Sequence, residues 1–297
     1  MPVPLDSSKR TLFPQYLTEA LPYIQHLYGC PIVIKVGGNV LDSPEDKLNF
    51  AQDIVLLRCV GIKPVVVHGG GPQITKMMNR LGKEATFVEG LRVTDQDTMD
   101  ITEMVLAGTI GKQLVSAINS QGGKAVSLSG KDANLIEAKK ALASGKASGD
   151  ILDLGFVGEV VNICPQILKT LEEDSFIPVI SPVGVGSDGH TYNINADIVA
   201  GEIAAALKAE RLLLLTDTRG ILEDPKDPAT LISSLTLDDI PGYIEKGVIA
   251  GGMMPKVRAC TIALEGDVKK THIINGRAPH TIILELFTDE GVGTEIR

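Results

Sequence analysis

Residues 63–82, KPVVVHGGGPQITKMMNRLG, decide the fold. Residues 63–68 are a short valine-rich run that stops at glycine, the mark of a strand buried on both faces. Gly69, Gly70 and Gly71 form a loop, and from Pro72 onward the apolar spacing is helical. Strand, glycine loop and helix make one half of a parallel crossover unit, and the same order recurs on both sides. Upstream, PIVIKVGGN (31–39) is a strand ending in a glycine pair. It is followed by a helix over 43–61 whose SPED start supplies a cap, a first-turn proline and acids. Downstream, residues 95–123 read as a long helical stretch, then KAVSLSG (124–130) as a strand. FIPVISPVG (176–184), RLLLLTDTRG (211–220) and THIINGRAP (271–279) are further strands, and NADIVAGEIAAALKA (195–209) is an alanine-rich helix. Residues 131–161 are more polar and predict a hairpin or an excursion over the sheet rim. The whole predicts an α/β protein, a largely parallel sheet covered by helices on both faces.

Composition narrows the class of function. The 297 residues are 44% hydrophobic and 22% charged, a globular balance, and the length suits about two domains at ~150 residues each. A net charge of −9, no tryptophan and 4% aromatics argue against binding a nucleic-acid backbone, while leaving room for a local basic pocket. Cys30, Cys59, Cys164 and Cys260 are too scattered for a zinc knuckle or a redox pair, so no protein metal ligand set is expected. No apolar run approaches a bilayer span and no basic start precedes an apolar segment, which fits a cytoplasmic or plastid-stromal protein away from membranes. Residues 1–10 read as a loose tail or a processed remnant. Residues 12–28 predict one amphipathic helix, with Leu12, Phe13, Tyr16, Leu17, Ala20, Leu21, Ile24, Leu27 and Tyr28 on its stripe, a kink at Pro22 and a stop at Gly29. A composition break near Glu210 is the candidate boundary between two lobes of a continuous sheet.

Five short stretches carry polar residues where an α/β protein binds ligands. Lys35 ends an apolar strand and meets Gly37 and Gly38, whose N–H groups suit phosphate oxygens; the ordinary alternative is a tight turn with a surface lysine. Gly70 and Gly71 precede a helix N-terminus, which favours an anion. That loop has neither Walker nor dinucleotide spacing, and glycines also serve geometry alone. His68 beside it is either a general base or a packed side chain. Arg92, in GLRVTD (90–95), suits a bidentate carboxylate, or is a surface arginine. Asn193, Asn195 and Asp197 alternate into a helix. The asparagines suit a polar small molecule, and Asp197 either caps the helix or holds lysines. Lys256 follows Gly251 and Gly252 ahead of another helix. Together, two lysines, glycine cradles, one aspartate and one arginine make the inventory of a phosphoryl-transfer site without a Walker lysine. A carboxylate acceptor, with a pKa near about 4, needs no general base at neutral pH.

These strings resemble the acetylglutamate kinases of the amino-acid kinase superfamily over most of residues 31–297. KVGGNVL, VVVHGGGPQI, GLRVTD, SLSGKDANLI, DLGFVGEV, PVISPVGVGSDGHTYNINAD, LLLLTDTRGIL and GGMMPKV carry the likeness, with HGGGPQI, GLRVT and NINAD narrowing it to that branch. The resemblance implies a three-layer αβα sandwich with the carbamate kinase-like fold. It implies ATP-dependent phosphorylation of the side-chain carboxylate of N-acetyl-L-glutamate in arginine biosynthesis. Lys35 and Lys256 would neutralise the transferred phosphoryl group, Asp197 would orient both lysines, and Gly37, Gly38, Gly70 and Gly71 would donate N–H groups. Arg92, Asn193 and Asn195 would hold the acceptor; Thr216 and Asp217 would line the nucleotide side. Mg2+ would be held mainly by phosphates and water. Residues 29–208 would form an acceptor-binding, dimerising lobe and residues 209–297 an ATP-binding lobe.

The helix within residues 1–28 and the segment 280–294 resemble the arginine-inhibited kind. There the N-terminal helices interlace three dimers into a hexamer. The resemblance then places L-arginine near His280, Gly291 and Gly293, and a PII signalling protein as a partner if the chain is of the cyanobacterial or plastid branch. Other kinases of the superfamily, acting on glutamate, aspartate, carbamate or uridylate, share the phosphate machinery and differ in acceptor. A non-catalytic arginine sensor would have lost a lysine; an NAD oxidoreductase would show the dinucleotide spacing.

Overall fold

The computed structural model describes residues 7–41, 43–88, 90–144 and 151–297. Two helices, α1 (Ser7–Glu19) and α2 (Leu21–Leu27), lead into β1 (Pro31–Val36), α3 (Pro44–Cys59), β2 (Lys63–His68) and α4 (Gly71–Arg80). A small hairpin follows, β3 (Phe87–Val88) and β4 (Leu91–Arg92). The long helical stretch is α5 (Gln96–Glu103), a π-helical run Met104–Ile110 and α6 (Gly111–Ser120), returning to β5 (Ala125–Ser129). Next come β6 (Ile136–Lys140), β7 (Ala143–Ser144), β8 (Ile151–Leu152), β9 (Gly158–Ile163), α7 (Gln166–Glu173), β10 (Ile177–Ser181), β11 (Val183–Gly186) and β12 (Thr191–Asn193). The chain continues through α8 (Ala196–Leu207), β13 (Arg211–Thr216), β14 (Ser234–Leu235), α9 (Ile240–Glu245), α10 (Met254–Glu265), β15 (Lys270–Asn275), α11 (Thr281–Leu286) and β16 (Thr294–Ile296).

Eight strands form the central sheet in the order β14-β16-β15-β13-β1-β2-β10-β5. All neighbours are parallel except β15 and β16. Every strand of this sheet that precedes residue 208 lies on one side of the β1–β13 pairing, and every later one lies on the other. From β1 the chain goes outward to β2, while β13 flanks it oppositely. Such a reversal opens a crevice at the C-terminal ends of the strands.

Alternation along β1 assigns its two faces. Ile32, Ile34 and Val36 pack with Ile54 and Leu57 of α3, Leu114 and Ile118 of α6, and Ile282 of α11. Val33 packs with Val199 and Ile203 of α8 and Val257 and Ala259 of α10. These are the three layers. Lys35 has the parity of Val33 and so projects toward α8 and α10.

The polar stretch 131–161 is the predicted excursion: β6 and β9 pair antiparallel in a second, four-stranded sheet with β11 and β12. Residues 145–150 of that stretch lie outside the described ones. The N-terminal helix departs from expectation. It is two helices that part at Ala20; Pro14 sits inside the first, and Pro22 starts the second instead of kinking one rod. A first-turn proline loses no hydrogen bond, which explains the position. Gly29 does stop the helix, with φ of 76°.

Asp53 on α3 is buried, and its Oδ1 lies 2.6 Å from Nδ1 of His280, the residue preceding α11. Burial pushes this carboxyl up to about 6, against the pull of His280. Its folded value lies above its unfolded one. Its favourable contribution is therefore complete below pH ~4 and is lost as pH rises through ~6, about 3 kcal/mol in all at ~1.4 kcal/mol per pKa unit. Asp53→Asn removes the buried charge but has one acceptor oxygen for two donors, His280 and the Ile282 N–H, so its unfolding temperature relative to wild type should rise by roughly 5 °C from pH 4 to pH 8. Calorimetry that found the difference independent of pH would contradict the assignment.

Candidate active site

The crevice contains a buried triad. Lys35 comes from the end of β1, Asp197 from the first turn of α8 and Lys256 from the first turn of α10. Lys35 Nζ lies 2.7 Å from Asp197 Oδ1, and Lys256 Nζ lies 2.8 Å from Oδ2. Their side chains are 8%, 7% and 13% exposed in that chain order. Burial works to raise the Asp197 carboxyl, but the two ammonium groups outweigh it and hold it below the usual range. Burial lowers Lys35, with Asp197 opposing and Lys256 adding to the effect. One carboxylate between two ammonium groups leaves a positive charge in surplus. Burying such a set is costly, and a phosphate would balance it.

The sequence leaves Asp197 open as a cap for α8. The structure gives that role to Asn195, whose Oδ1 accepts from the N–H groups of Asp197 and Ile198 at 2.8 and 3.3 Å. The signal was present, since asparagine ranks with aspartate at this position. Asn195 thus fixes the turn that aims Asp197 at the lysines. Tyr192 and Ile194 are buried, and the alternate Asn193 and Asn195 are left half-buried on the other side of the chain.

Two glycine loops border the triad. A Cβ placed on Gly37 would stand 3.8 Å from Lys35 Nζ. A Cβ on Gly38 would meet Gln73 Oε1 at 2.6 Å, Pro72 Cδ at 3.1 Å and the Gly70 Cα at 3.3 Å, so the loops after β1 and β2 touch backbone to backbone. Gly69 donates to Val36 O at 2.9 Å, stitching the two strand ends together. Gly70 precedes α4 and Gly71 opens it, where the first N–H groups have no partner within the helix.

Arg92 extends this line. Its Nη2 donates to Gly71 O at 3.0 Å and to Thr75 Oγ1 at 2.8 Å, and its guanidinium lies 4.7 Å from the centre of the Phe87 ring. It is buried, and among the described residues no carboxylate stands within ion-pair distance of it. A carboxylate from a ligand would complete it. Arg92 Nη1 also lies 3.2 Å from Met78 Sδ, and these contacts with Thr75 and Met78 on α4 are tertiary and had no sequence signal. Thr216 ends β13 beside the Gly37 loop, and its Oγ1 lies 3.2 Å from Oδ1 of the exposed Asp217. His68 is fully buried between Gly69 O and Ser181 Oγ, and burial pushes its pKa down to about 4. It is a neutral packed residue.

The three residues grouped as an arginine site fall apart. Gly291 and Gly293 line a groove of about 750 Å³ with Tyr23, His26, His272 and Glu285, whereas His280 stands apart with Asp53 at the start of α11. In the groove Glu285 Oε1 lies 2.7 Å from His272 Nδ1, and its Oε2 accepts from Val292 and Gly293 N–H. Burial works to raise Glu285, but these partners hold it below its ordinary value. Tyr23 of α2 donates its hydroxyl to Asp289 Oδ1, joining the N-terminal helices to this loop.

Residues 31–275 match the Amino acid kinase family, and the chain belongs to it. Within that class of phosphotransferases it stands with the acetylglutamate kinases. It is 56% identical to the acetylglutamate kinase of Moorella thermoacetica over 282 residues, 94% of this chain and 95% of that one. It is 55% identical to that of Desulforamulus reducens over 280 residues, 94% and 96% of the two chains. Among solved structures it resembles N-acetylglutamate synthase from Neisseria gonorrhoeae in complex with coenzyme A and N-acetyl-glutamate. The TM-score is 0.82 at 27% identity over 96% of this chain, which spans 63% of that longer protein. Carbamate kinase from Giardia lamblia shares the fold, with a TM-score of 0.63 at 18% identity over 90% of this chain and 98% of that one.

Proposed function

We propose that the chain transfers the γ-phosphoryl group of ATP to the side-chain carboxylate of N-acetyl-L-glutamate, a step of arginine biosynthesis. The observation that carries this reading is the Lys35–Asp197–Lys256 triad, buried beside two glycine loops with Arg92, which has no carboxylate partner among the described residues, at their far end. The surplus positive charge fits a polyphosphate and repels a bare cation. Mg2+ would therefore arrive with the nucleotide, held by phosphate oxygens and water, and would supply charge neutralisation there. Lys35 and Lys256 meet the transferred group from two elements, and Asp197 holds both ammonium groups in place. The N–H groups of Gly37, Gly38, Gly70 and Gly71 face its oxygens. Arg92 takes the α-carboxylate, with Asn193 and the Nδ2 of Asn195 available to polar groups of the acceptor. Thr216 and Asp217 stand on the nucleotide side, on the lobe formed by residues 209–297.

An oxygen of the acceptor carboxylate attacks the γ-phosphorus. The new O–P bond forms as the bond to the bridging oxygen breaks, and ADP leaves with that electron pair. The carboxylate enters already ionised, so no residue has to take a proton, in keeping with the buried neutral His68. A parallel assay of ADP release with N-acetylglutamate, glutamate, aspartate and carbamate tests the acceptor. Equal turnover of unacetylated glutamate would remove the assignment.

The same reading includes feedback inhibition by L-arginine in a homo-hexamer. The groove beside Tyr23 supports it: Asp289 and Glu290 line it and suit a guanidinium, whereas Glu285 is held by His272 and backbone N–H groups and Glu295 by Lys270. A related synthase from Neisseria gonorrhoeae was solved with coenzyme A and L-arginine. Leu12, Phe13, Tyr16 and Leu17 of α1 are exposed and offer an apolar stripe to a second copy, whereas Leu27 of α2 is in the core. A PII partner comes from the resemblance alone. Deleting residues 1–19 should leave an active smaller oligomer with arginine inhibition weakened at least tenfold. Light scattering and an arginine titration check this, and an equally inhibited hexamer would contradict it.

A further inference from the structure

Gln73 is the third residue of α4, and its Nε2 donates to Gly38 O at 3.0 Å across to the loop after β1. A glutamine at this helix position ordinarily offers an acceptor to the free N–H groups of its own helix. Here the donor end leaves the helix and goes to a carbonyl 35 positions away in sequence. The contact lies where Gly38 is pressed against Pro72 and Gly70.

We propose that Gln73 is a positioning residue for phosphoryl transfer: its amide ties the glycine loop after β1 to the glycine loop after β2, so that the N–H groups of both stay at a fixed spacing. The inference rests on the phosphoryl-transfer reading above. A trans peptide points its carbonyl and the following N–H in opposite directions. Holding Gly38 O toward α4 therefore directs the Asn39 N–H away from it and sets the tilt of the whole turn. Gly69 already joins the two strand ends through Val36 O, but that bond sits at the base of the loops. Gln73 closes them further out, next to the glycines assigned to the phosphoryl oxygens.

Charge on those oxygens redistributes during transfer, so donor placement matters most in the transition state. Misplacement of about 1 Å can cost ~100-fold in rate. Gln73→Met keeps length and bulk and removes the donor. Its kcat should fall at least tenfold, with KM for both substrates within threefold of wild type and an unfolding temperature within 3 °C. Gln73→Glu is ionised at pH 8, loses the donor and sets a carboxylate against the Gly38 carbonyl, so its kcat should fall at least as far. A role in packing alone would leave Gln73→Met, which keeps the bulk, at the wild-type kcat. Wild type without turnover of N-acetylglutamate would remove the acceptor reading. Active wild type, with Gln73→Met or Gln73→Glu within twofold of it in kcat, would overturn the tie between the loops.

Discussion

Lys35→Ala and Lys256→Ala should each lower kcat by about 10²–10³-fold, with KM for ATP and for N-acetylglutamate changed far less. Each lysine sits within 2.8 Å of Asp197 and shares its charge with the transferred group. Contacts that strengthen as charge develops appear in kcat and not in ground-state affinity. Removing one electrostatic contact of this kind costs about 3–4 kcal/mol. Either variant leaves Asp197 paired with the remaining lysine, so the fold should survive. Steady-state kinetics with both substrates varied checks the split. A kcat within threefold of wild type at either position would show that the triad is structural.

The second large effect lies away from the reacting atoms. Gly201 is on α8, about one turn beyond Asp197, and faces Ala259 on α10, about one turn beyond Lys256. A Cβ on Gly201 would stand 2.6 Å from Ala259 O and 3.1 Å from its Cα. The obstacle is backbone, so Gly201→Ala must push the helices apart. Overpacking of this sort costs about 1–3 kcal/mol of stability. The displacement acts directly on the 2.8 Å Lys256–Asp197 contact. We expect a tenfold to hundredfold loss of kcat at temperatures where the variant is fully folded. Circular dichroism melts beside kinetics would check it; an unaltered kcat with a lowered melting temperature would confine Gly201 to packing.

The fold was legible because its strands are buried on both faces. Runs such as 63–68 and 211–216 are nearly continuous apolar segments, and no other element accounts for them at that length. Lys35 stood out for the same reason, as a charge closing an apolar run before glycines. Less was legible where tertiary contact decides. Gln73 reads as an ordinary first-turn residue until its partner at Gly38 is known. Gly201 reads as a weak point in an alanine-rich helix, although it sets the distance between α8 and α10. The π-helical run Met104–Ile110 has no compositional mark. Its Ile110 and Leu106 side chains lie 2.3 and 2.7 Å from where a Gly70 Cβ would be, so it backs the second glycine loop. Strand β16 is three residues long and is held by pairing with β15 and β14, which no local pattern announces. His280 was grouped with Gly291 and Gly293 on the resemblance, and α11 stands between them in the chain, with His280 held by Asp53 instead.

The central claim is that the triad and its glycine loops make an acyl phosphate from ATP and N-acetyl-L-glutamate. The most direct measurement is to run the reaction in hydroxylamine and identify the trapped product by mass spectrometry. The predicted result is N-acetylglutamyl 5-hydroxamate, formed only with ATP, in step with ADP, and abolished to within a few per cent in Lys35→Ala. ADP release without hydroxamate, or a hydroxamate formed equally well from unacetylated glutamate, would contradict the claim.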